Sequence, residues 1–145
     1  MYSIEKKFTF EAAHSLNGLD KDHPCSAMHG HSYKLYIKIF SDELDETGFI
    51  IDFGKLKLFQ KDFINKYFDH ALIIVDKIDL EFHNSPKIYV MPIEYTNTTV
   101  EHMCKHILDL LLQFFKNINF NNFYKIRIKM YETENNSGSY TYTKN

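Results

Sequence analysis

Strict alternation constrains this chain more than any other feature: Tyr33, Leu35, Ile37 and Ile39 interleave with Ser32, Lys34, Tyr36 and Lys38. Successive side chains on a strand leave opposite sides of the backbone, so a two-residue period describes a strand with one face in a core. The same period runs through Tyr2, Ile4, Phe8, Phe10, Ala12 and His14, with Lys6 out of character. It returns near the C-terminus, where Tyr124, Ile126, Ile128 and Met130 alternate with Lys125, Arg127 and Lys129. Polar side chains continue these apolar faces. His29 and His31 share the parity of Tyr33, His14 ends the first stretch, and Glu132 follows Met130 on the last.

Between these strands the period changes. Phe53, Leu56, Gln60, Phe63, Ile64 and Tyr67 fall at helical spacing, with lysines on the other side, and the helix ends near Asp69-His70. Thr98-Thr99-Val100-Glu101 carries the Thr-x-x-Glu capping pattern and opens a second helix with Val100, Met103, Ile107, Leu110, Leu111 and Phe114 inward. A short strand is expected at residues 49–52, and another at 88–91. Between them lie an apolar run, Ala71 to Val75, and a polar loop with His83 and Pro86. This order predicts an α+β fold with antiparallel neighbours and helices on one sheet face. A length of 145 residues suits one domain with a real core.

Composition removes several function classes. The net charge of −2 gives no overall bias toward nucleic acid or membrane. No apolar run reaches membrane-spanning length, and the first seven residues, with Glu5, Lys6 and Lys7, do not read as a signal peptide. Two cysteines make a disulfide framework improbable, so a reducing, cytoplasmic setting is expected.

Imidazole is the commonest metal ligand, and catalytic zinc favours three protein ligands with one position open. His14, His29 and His31 fit that requirement if the two strands lie side by side, and Gly30 suits a bend or a close approach between them. Each histidine alone reads more readily as an ordinary strand residue; two at i and i+2 on a face shared with a third point to metal. Cys25, four residues before His29, is either a fourth ligand in a closed structural site or a reactive thiol beside the metal. Cys104, inside the second helix, has no such context. Asp69-His70 reads as a helix-terminal charge pair or as a general acid–base pair. Glu132, on a buried face, needs a cation or a ligand with paired N–H donors, unless the strand stops at Met130 and leaves it solvated.

In these residues the chain resembles the 6-pyruvoyl-tetrahydropterin synthase family, which includes bacterial 6-carboxy-tetrahydropterin synthases. The resemblance runs through Phe10-Glu11-Ala12-Ala13-His14, Cys25-x3-His29-Gly30-His31-Ser32-Tyr33, Gly48 to Phe53, Asp69-His70, Thr99-x-Glu101, and Tyr131-Glu132-Thr133 to Tyr140. It implies one domain over residues 1–145 and the tunnelling fold, a four-stranded antiparallel sheet with two helices. Three such sheets close into a barrel, and two trimers stack into a homohexamer with active sites between subunits. Lys34, Lys38, Lys125, Arg127 and Lys129 would then line a basic central channel. His14, His29 and His31 would hold catalytic zinc, Cys25 would be the base, and Asp69 and His70 its proton relay. Glu132 would anchor the pterin, with Thr99 nearby.

The implied activity is that of a zinc-dependent lyase acting on 7,8-dihydroneopterin triphosphate. In the carboxy branch, which leads toward queuosine and other 7-deazaguanines, acetaldehyde and triphosphate leave. In the pyruvoyl branch triphosphate is lost and the three-carbon chain stays. The compact Cys25-to-His31 spacing favours the first, and Tyr131 to Asn136 keeps the second open. A non-catalytic zinc-stabilised module, with Cys25 as fourth ligand, is the reading from another class. The chain departs from the family pattern at His102, at Ala71-Leu72-Ile73 after Asp69-His70, and in a longer segment over 76–95.

Overall fold

The computed structural model describes residues 1–75 and 86–145. In chain order its elements are β1 (Tyr2–His14), β2 (His29–Ser41), α1 (Phe53–Phe59), β3 (Ala71–Ile74), β4 (Ile88–Val90), α2 (Val100–Asn117), β5 (Lys125–Tyr131) and β6 (Ser137–Thr143). The polar stretch containing His83 lies outside the described residues.

Strands β1 and β2 pair antiparallel along their whole length, from Tyr2 opposite Ser41 to His14 opposite His29. The predicted alternation is realised: Phe8, Phe10, Tyr33, Leu35, Ile37 and Ile39 are buried, while Thr9, Lys34, Tyr36 and Lys38 lie on the outer side. Strand β5 extends the sheet beyond β2 and sets Ile126, Ile128 and Met130 opposite Ile39, Ile37 and Leu35.

The sheet is not the four-stranded antiparallel one expected from the resemblance. It is mixed and six-stranded, in the order β4-β3-β1-β2-β5-β6. Strand β3 joins β1 in parallel through Ala12–Ala71 and Ala13–Leu72, and β4 joins β3 in parallel. All four residues of β3 are buried, and an unbroken apolar run is how a strand covered on both faces reads. Strand β6 was not expected, because Ser137-Gly138-Ser139-Tyr140-Thr141-Tyr142-Thr143 lacks apolar alternation. Its place comes from pairing with β5.

The expected strand at residues 49–52 does not form. Ile50 and Ile51 are both buried in a bend, and Asp52 caps α1, its carboxylate accepting from the Gly54 N–H at 2.7 Å. After Phe59, α1 continues as a π-helix over Gln60–Phe68. The wider winding corrects the inward set. Ile64 and Phe68 are its buried residues, since a π-helix returns to the same face after more residues than the 3.6 of an α-helix; before it, in α1, Leu56 and Phe59 are buried and Phe53, in the first turn, is exposed.

Helix α2 begins one residue later than the Thr-x-x-Glu pattern implies. Thr99 is its N-cap, accepting from the His102 N–H at 3.4 Å, while Thr98 is buried. Gly138 of β6 passes so close to the start of α2 that a Cβ there would lie 2.8 Å from Val100 Cγ2. That close approach is the role expected of Gly30, where a Cβ would meet only the Ala12 carbonyl at 3.5 Å. Both helices and the inner sheet face share one core. Among the described residues, no helix is long and apolar enough to cross a membrane.

Candidate active site

The β1–β2 register sets His14 directly opposite His29, and His31 leaves β2 on the same side. The three imidazoles form a closed triangle, with ring centroids 4.7, 4.8 and 5.1 Å apart. Glu132, in the turn after β5, joins them. One donor atom from each of His14, His29, His31 and Glu132 lies within 4.8 Å of the other three. The Glu132 turn is closed by its own N–H donating to the Asn136 carbonyl at 3.0 Å.

The hydrogen bonds of the rings fix which nitrogens face inward. His14 Nδ1–H donates to the Thr98 carbonyl at 2.9 Å, and His29 Nδ1–H to the Ala27 carbonyl at 2.7 Å. A carbonyl can only accept, so both rings carry the proton on Nδ1 and leave an Nε2 lone pair available, the second-sphere arrangement of metal-bound histidine. His31 Nε2 lies 3.3 Å from Glu132 Oε1, yet it is buried without a hydrogen bond among the described residues. Such an orphaned nitrogen, beside two rings with inward lone pairs and a carboxylate, is a donor set that suits a divalent cation.

The electrostatics agree. Burial pushes His14 down to about 4, against the raising effect of its bond to Thr98, and the His29 and His31 rings lower it further. Burial also lowers His31, opposed by the Glu132 carboxylate and reinforced by His29. Neutral imidazoles are the form that binds metal. Tyr33 supports the cluster from below, its hydroxyl 3.5 Å from His14, and burial raises the phenol well above its ordinary value.

Asp69 and His70 follow the π-helix. His70 adopts a left-handed conformation, φ 60°, and its N–H donates to the Glu11 carbonyl at 2.6 Å. This turn brings His70 Nδ1 to 3.1 Å from Asp69 Oδ2. Burial pushes the Asp69 carboxyl up. The Glu11 N–H at 3.0 Å, His70 and Lys87 outweigh it and hold the group below its ordinary value. His70 is largely exposed and shares with His31 and Lys87 the wall of an open cleft of about 450 Å³.

Cys25 sits in a 3-10 turn, Pro24–Ser26, half-buried, with its carbonyl accepting from the Leu16 N–H two residues beyond His14. Its thiol is not among the converging donors. The fourth donor the fold supplies is a carboxylate. Thr99 caps α2 next to Thr98, the residue that holds His14. Sequence reasoning missed Thr98, Tyr33 and Lys87. The apolar parity of Tyr33 was visible, but its contact with His14 depends on strand pairing.

A family model described as 6-pyruvoyl tetrahydropterin synthase matches residues 3–143. Among curated relatives, 6-carboxy-5,6,7,8-tetrahydropterin synthase of Rickettsia felis is 34% identical over 140 residues, covering 93% of this chain and 96% of the relative. The enzyme of that description from Rickettsia bellii is 31% identical with the same coverage. Among solved structures, Plasmodium vivax 6-pyruvoyl tetrahydropterin synthase superposes with a TM-score of 0.74 at 17% identity, over 99% of both chains. The Caenorhabditis elegans 6-pyruvoyl tetrahydropterin synthase gives 0.68 at 25% identity, over 99% of this chain and 96% of that one.

Proposed function

The chain belongs to the 6-pyruvoyl tetrahydropterin synthase family, and on that premise we propose that it converts 7,8-dihydroneopterin triphosphate and one water to 6-carboxy-5,6,7,8-tetrahydropterin, acetaldehyde and triphosphate. The observation that carries this reading is the convergence of His14, His29, His31 and Glu132 at one end of the sheet. The carboxy product is chosen because relatives aligned over nearly their full length carry that name.

His14, His29 and His31 are the residues that would hold zinc. Bound there, zinc supplies Lewis acidity to the hydroxyl-bearing side chain of the pterin, which makes its C–H bonds easier to deprotonate. Glu132 accepts from the pterin 2-amino and ring N3–H groups, a paired donor edge that a carboxylate matches with parallel hydrogen bonds. Thr99 lies beside this edge at the start of α2. Cys25, as thiolate, takes the proton from the side-chain carbon. His70 passes protons to and from the intermediates, and Asp69, kept ionised by its N–H and cationic neighbours, orients and charges the imidazole. The side chain is oxidised while the ring is reduced, so no external hydride donor enters.

Membership of the family carries with it the expectation of an assembly in which subunits complete one another's sites. The reading therefore includes a homohexamer acting on a small pterin in the cytoplasm. Product analysis by mass spectrometry after incubation with dihydroneopterin triphosphate tests it. Acetaldehyde with 6-carboxytetrahydropterin is expected. A product retaining all three side-chain carbons would move the protein to the pyruvoyl branch, and no turnover by the zinc-loaded protein would refute the enzyme.

A further inference from the structure

The Asp69–His70 pair stands on a turn that its residue types do not favour. Asp69 has φ −68° and ψ 127°, and His70 follows at φ 60°. These are the angles of the central residues of a type II turn, whose second position calls for glycine or asparagine. The left-handed conformation is costly for a residue with a Cβ, so an imidazole keeps it only where the surroundings enforce it. Rotation of the single peptide unit between Asp69 and His70 would relieve the cost. It gives a type I turn, in which both central residues are right-handed and most side chains are accepted. That rotation would reverse the Asp69 carbonyl and the His70 N–H, and change the angle at which the imidazole leaves the chain.

Two bonds oppose the rotation, one on each side of the peptide unit. The His70 N–H donates to the Glu11 carbonyl at 2.6 Å. The Asp69 carbonyl accepts from the Lys87 ammonium, also at 2.6 Å. The same ammonium donates to the Asn65 carbonyl at 2.8 Å. The π-helix closes with the Asp69 N–H on the Ile64 carbonyl, the bond to the fifth residue back that defines this winding. The next bond of the series would join the His70 N–H to Asn65. Glu11 has taken that N–H, and Lys87 gives the Asn65 carbonyl a donor instead. A cation here also complements the negative end of the helix. Lys87 is itself held, because its carbonyl accepts from the Leu72 N–H at 2.9 Å and Ile88 beside it pairs with Leu72. Its backbone is thus fixed next to β3, the strand into which His70 leads.

We propose that Lys87 is a positioning residue for the Asp69–His70 pair, locking the peptide unit between them so that His70 keeps its left-handed conformation. The motif Asp69-His70 does not contain this donor. It comes from the stretch over 76–95 in which the chain departs from the family pattern. In this role the ammonium does not touch the reacting atoms and acts only through the turn.

Two readouts on the full-length, zinc-loaded protein test this, and only the second uses the reaction. The first is a pair of crystal structures, of the wild type and of Lys87→Met. The wild type should show His70 left-handed. The variant should show the peptide unit rotated and His70 at negative φ. A variant that keeps the Asp69 carbonyl in place and His70 at positive φ would overturn the proposal. The second readout is steady-state kinetics, and it rests on the reading of His70 as proton carrier. Lys87→Met should lower kcat at least about tenfold, since a misplacement of about 1 Å can cost about 10²-fold. KM and zinc content should be unchanged, because neither the pterin anchor nor a metal ligand is altered. Lys87→Arg, whose several donors can still serve both carbonyls, should recover most of kcat. A lysine needed only for stability would instead lower the melting temperature and leave kcat of the folded protein unchanged. That outcome would overturn the proposal, and so would a raised KM at unchanged kcat, which would make Lys87 a substrate contact. If Lys87→Met folds poorly, Lys87→Gln makes both comparisons, and its amide, able to serve one carbonyl, should give a smaller loss of kcat. A wild type without turnover would refute the proposed reaction, while the crystal structures would still decide the role of Lys87.

Discussion

His14 Nδ1 and the Thr98 carbonyl meet at 2.9 Å across 84 positions of sequence. The bond ties the end of β1 to the residue before the α2 cap and points His14 Nε2 at His29 and His31. Burial, working against that bond, keeps His14 neutral, which makes the metal-free protein sensitive to acid. The folded His14 titrates at about 4 against an ordinary 6.5. The unfolded chain therefore takes up the proton first. The stability that this neutral ring contributes is complete above pH 6.5 and is lost as pH falls toward 4. The gap corresponds to about 3 kcal/mol. Urea unfolding of metal-free protein at pH 7 and pH 4.5 should show the loss, and His14→Gln should flatten it. An unchanged pH dependence in that variant would place the acid sensitivity elsewhere.

His29→Ala should lose zinc and turnover together. The fold should persist, because His29 is only half-buried and lies outside the main core. Removal of one of three ligands should cost several kcal/mol of metal affinity, about 100-fold or more in binding. Metal analysis of the purified variant, with circular dichroism as control, measures both. Full zinc occupancy would remove His29 from the ligand set.

Cys25→Ala should keep its metal and still bind pterin. Turnover should fall by about 10²-fold or more, the usual contribution of a positioned base. Parallel loss of zinc would instead make the thiol a ligand and revive the structural-zinc reading. Cobalt substitution gives an independent check, since a coordinated thiolate produces a charge-transfer band that three imidazoles and a carboxylate do not.

Glu132 stands 3.3 Å from His31 Nε2, so two roles compete for its carboxylate. As pterin anchor, Glu132→Gln should weaken binding of a product-like pterin by about 2–4 kcal/mol, because one ligand donor would face another donor in the site. Zinc content should be unchanged. Calorimetry and metal analysis on the same preparation separate the roles. Lost zinc with intact pterin affinity would identify Glu132 as a metal ligand.

Gly138→Ala tests the seam between β6 and α2. Its new Cβ would fall 2.8 Å from Val100 Cγ2, too close without movement of the helix start. Overpacking of this kind costs about 1–3 kcal/mol. Denaturant melts should show that loss, and a Val100→Ala change should recover much of it. Equal stability of the single variant would mean that α2 shifts freely at its N-terminus.

The sequence by itself determined the three alternating strands, both helices and the side of the sheet on which His14, His29 and His31 emerge. These are local properties, because a strand's period is set by its own backbone geometry. The alternation of residues 2–14, 31–39 and 124–130 needed no partner to be read. Tertiary structure decided what depends on contacts remote in sequence. Burial on both faces turned Ala71–Ile74 into a parallel strand beside β1, and pairing with β5 made a strand of the polar Ser137–Thr143. The π-winding after Phe59 brought Phe68 into the core, a position that an α-helical period cannot anticipate. Thr98 left the capping position for a ring 84 residues away, and Glu132 reached the histidines through a turn beyond the last regular residue of β5. A residue's own spacing limits the direction of its side chain. Which donor completes a site depends on where separate strands and turns come to rest against one core.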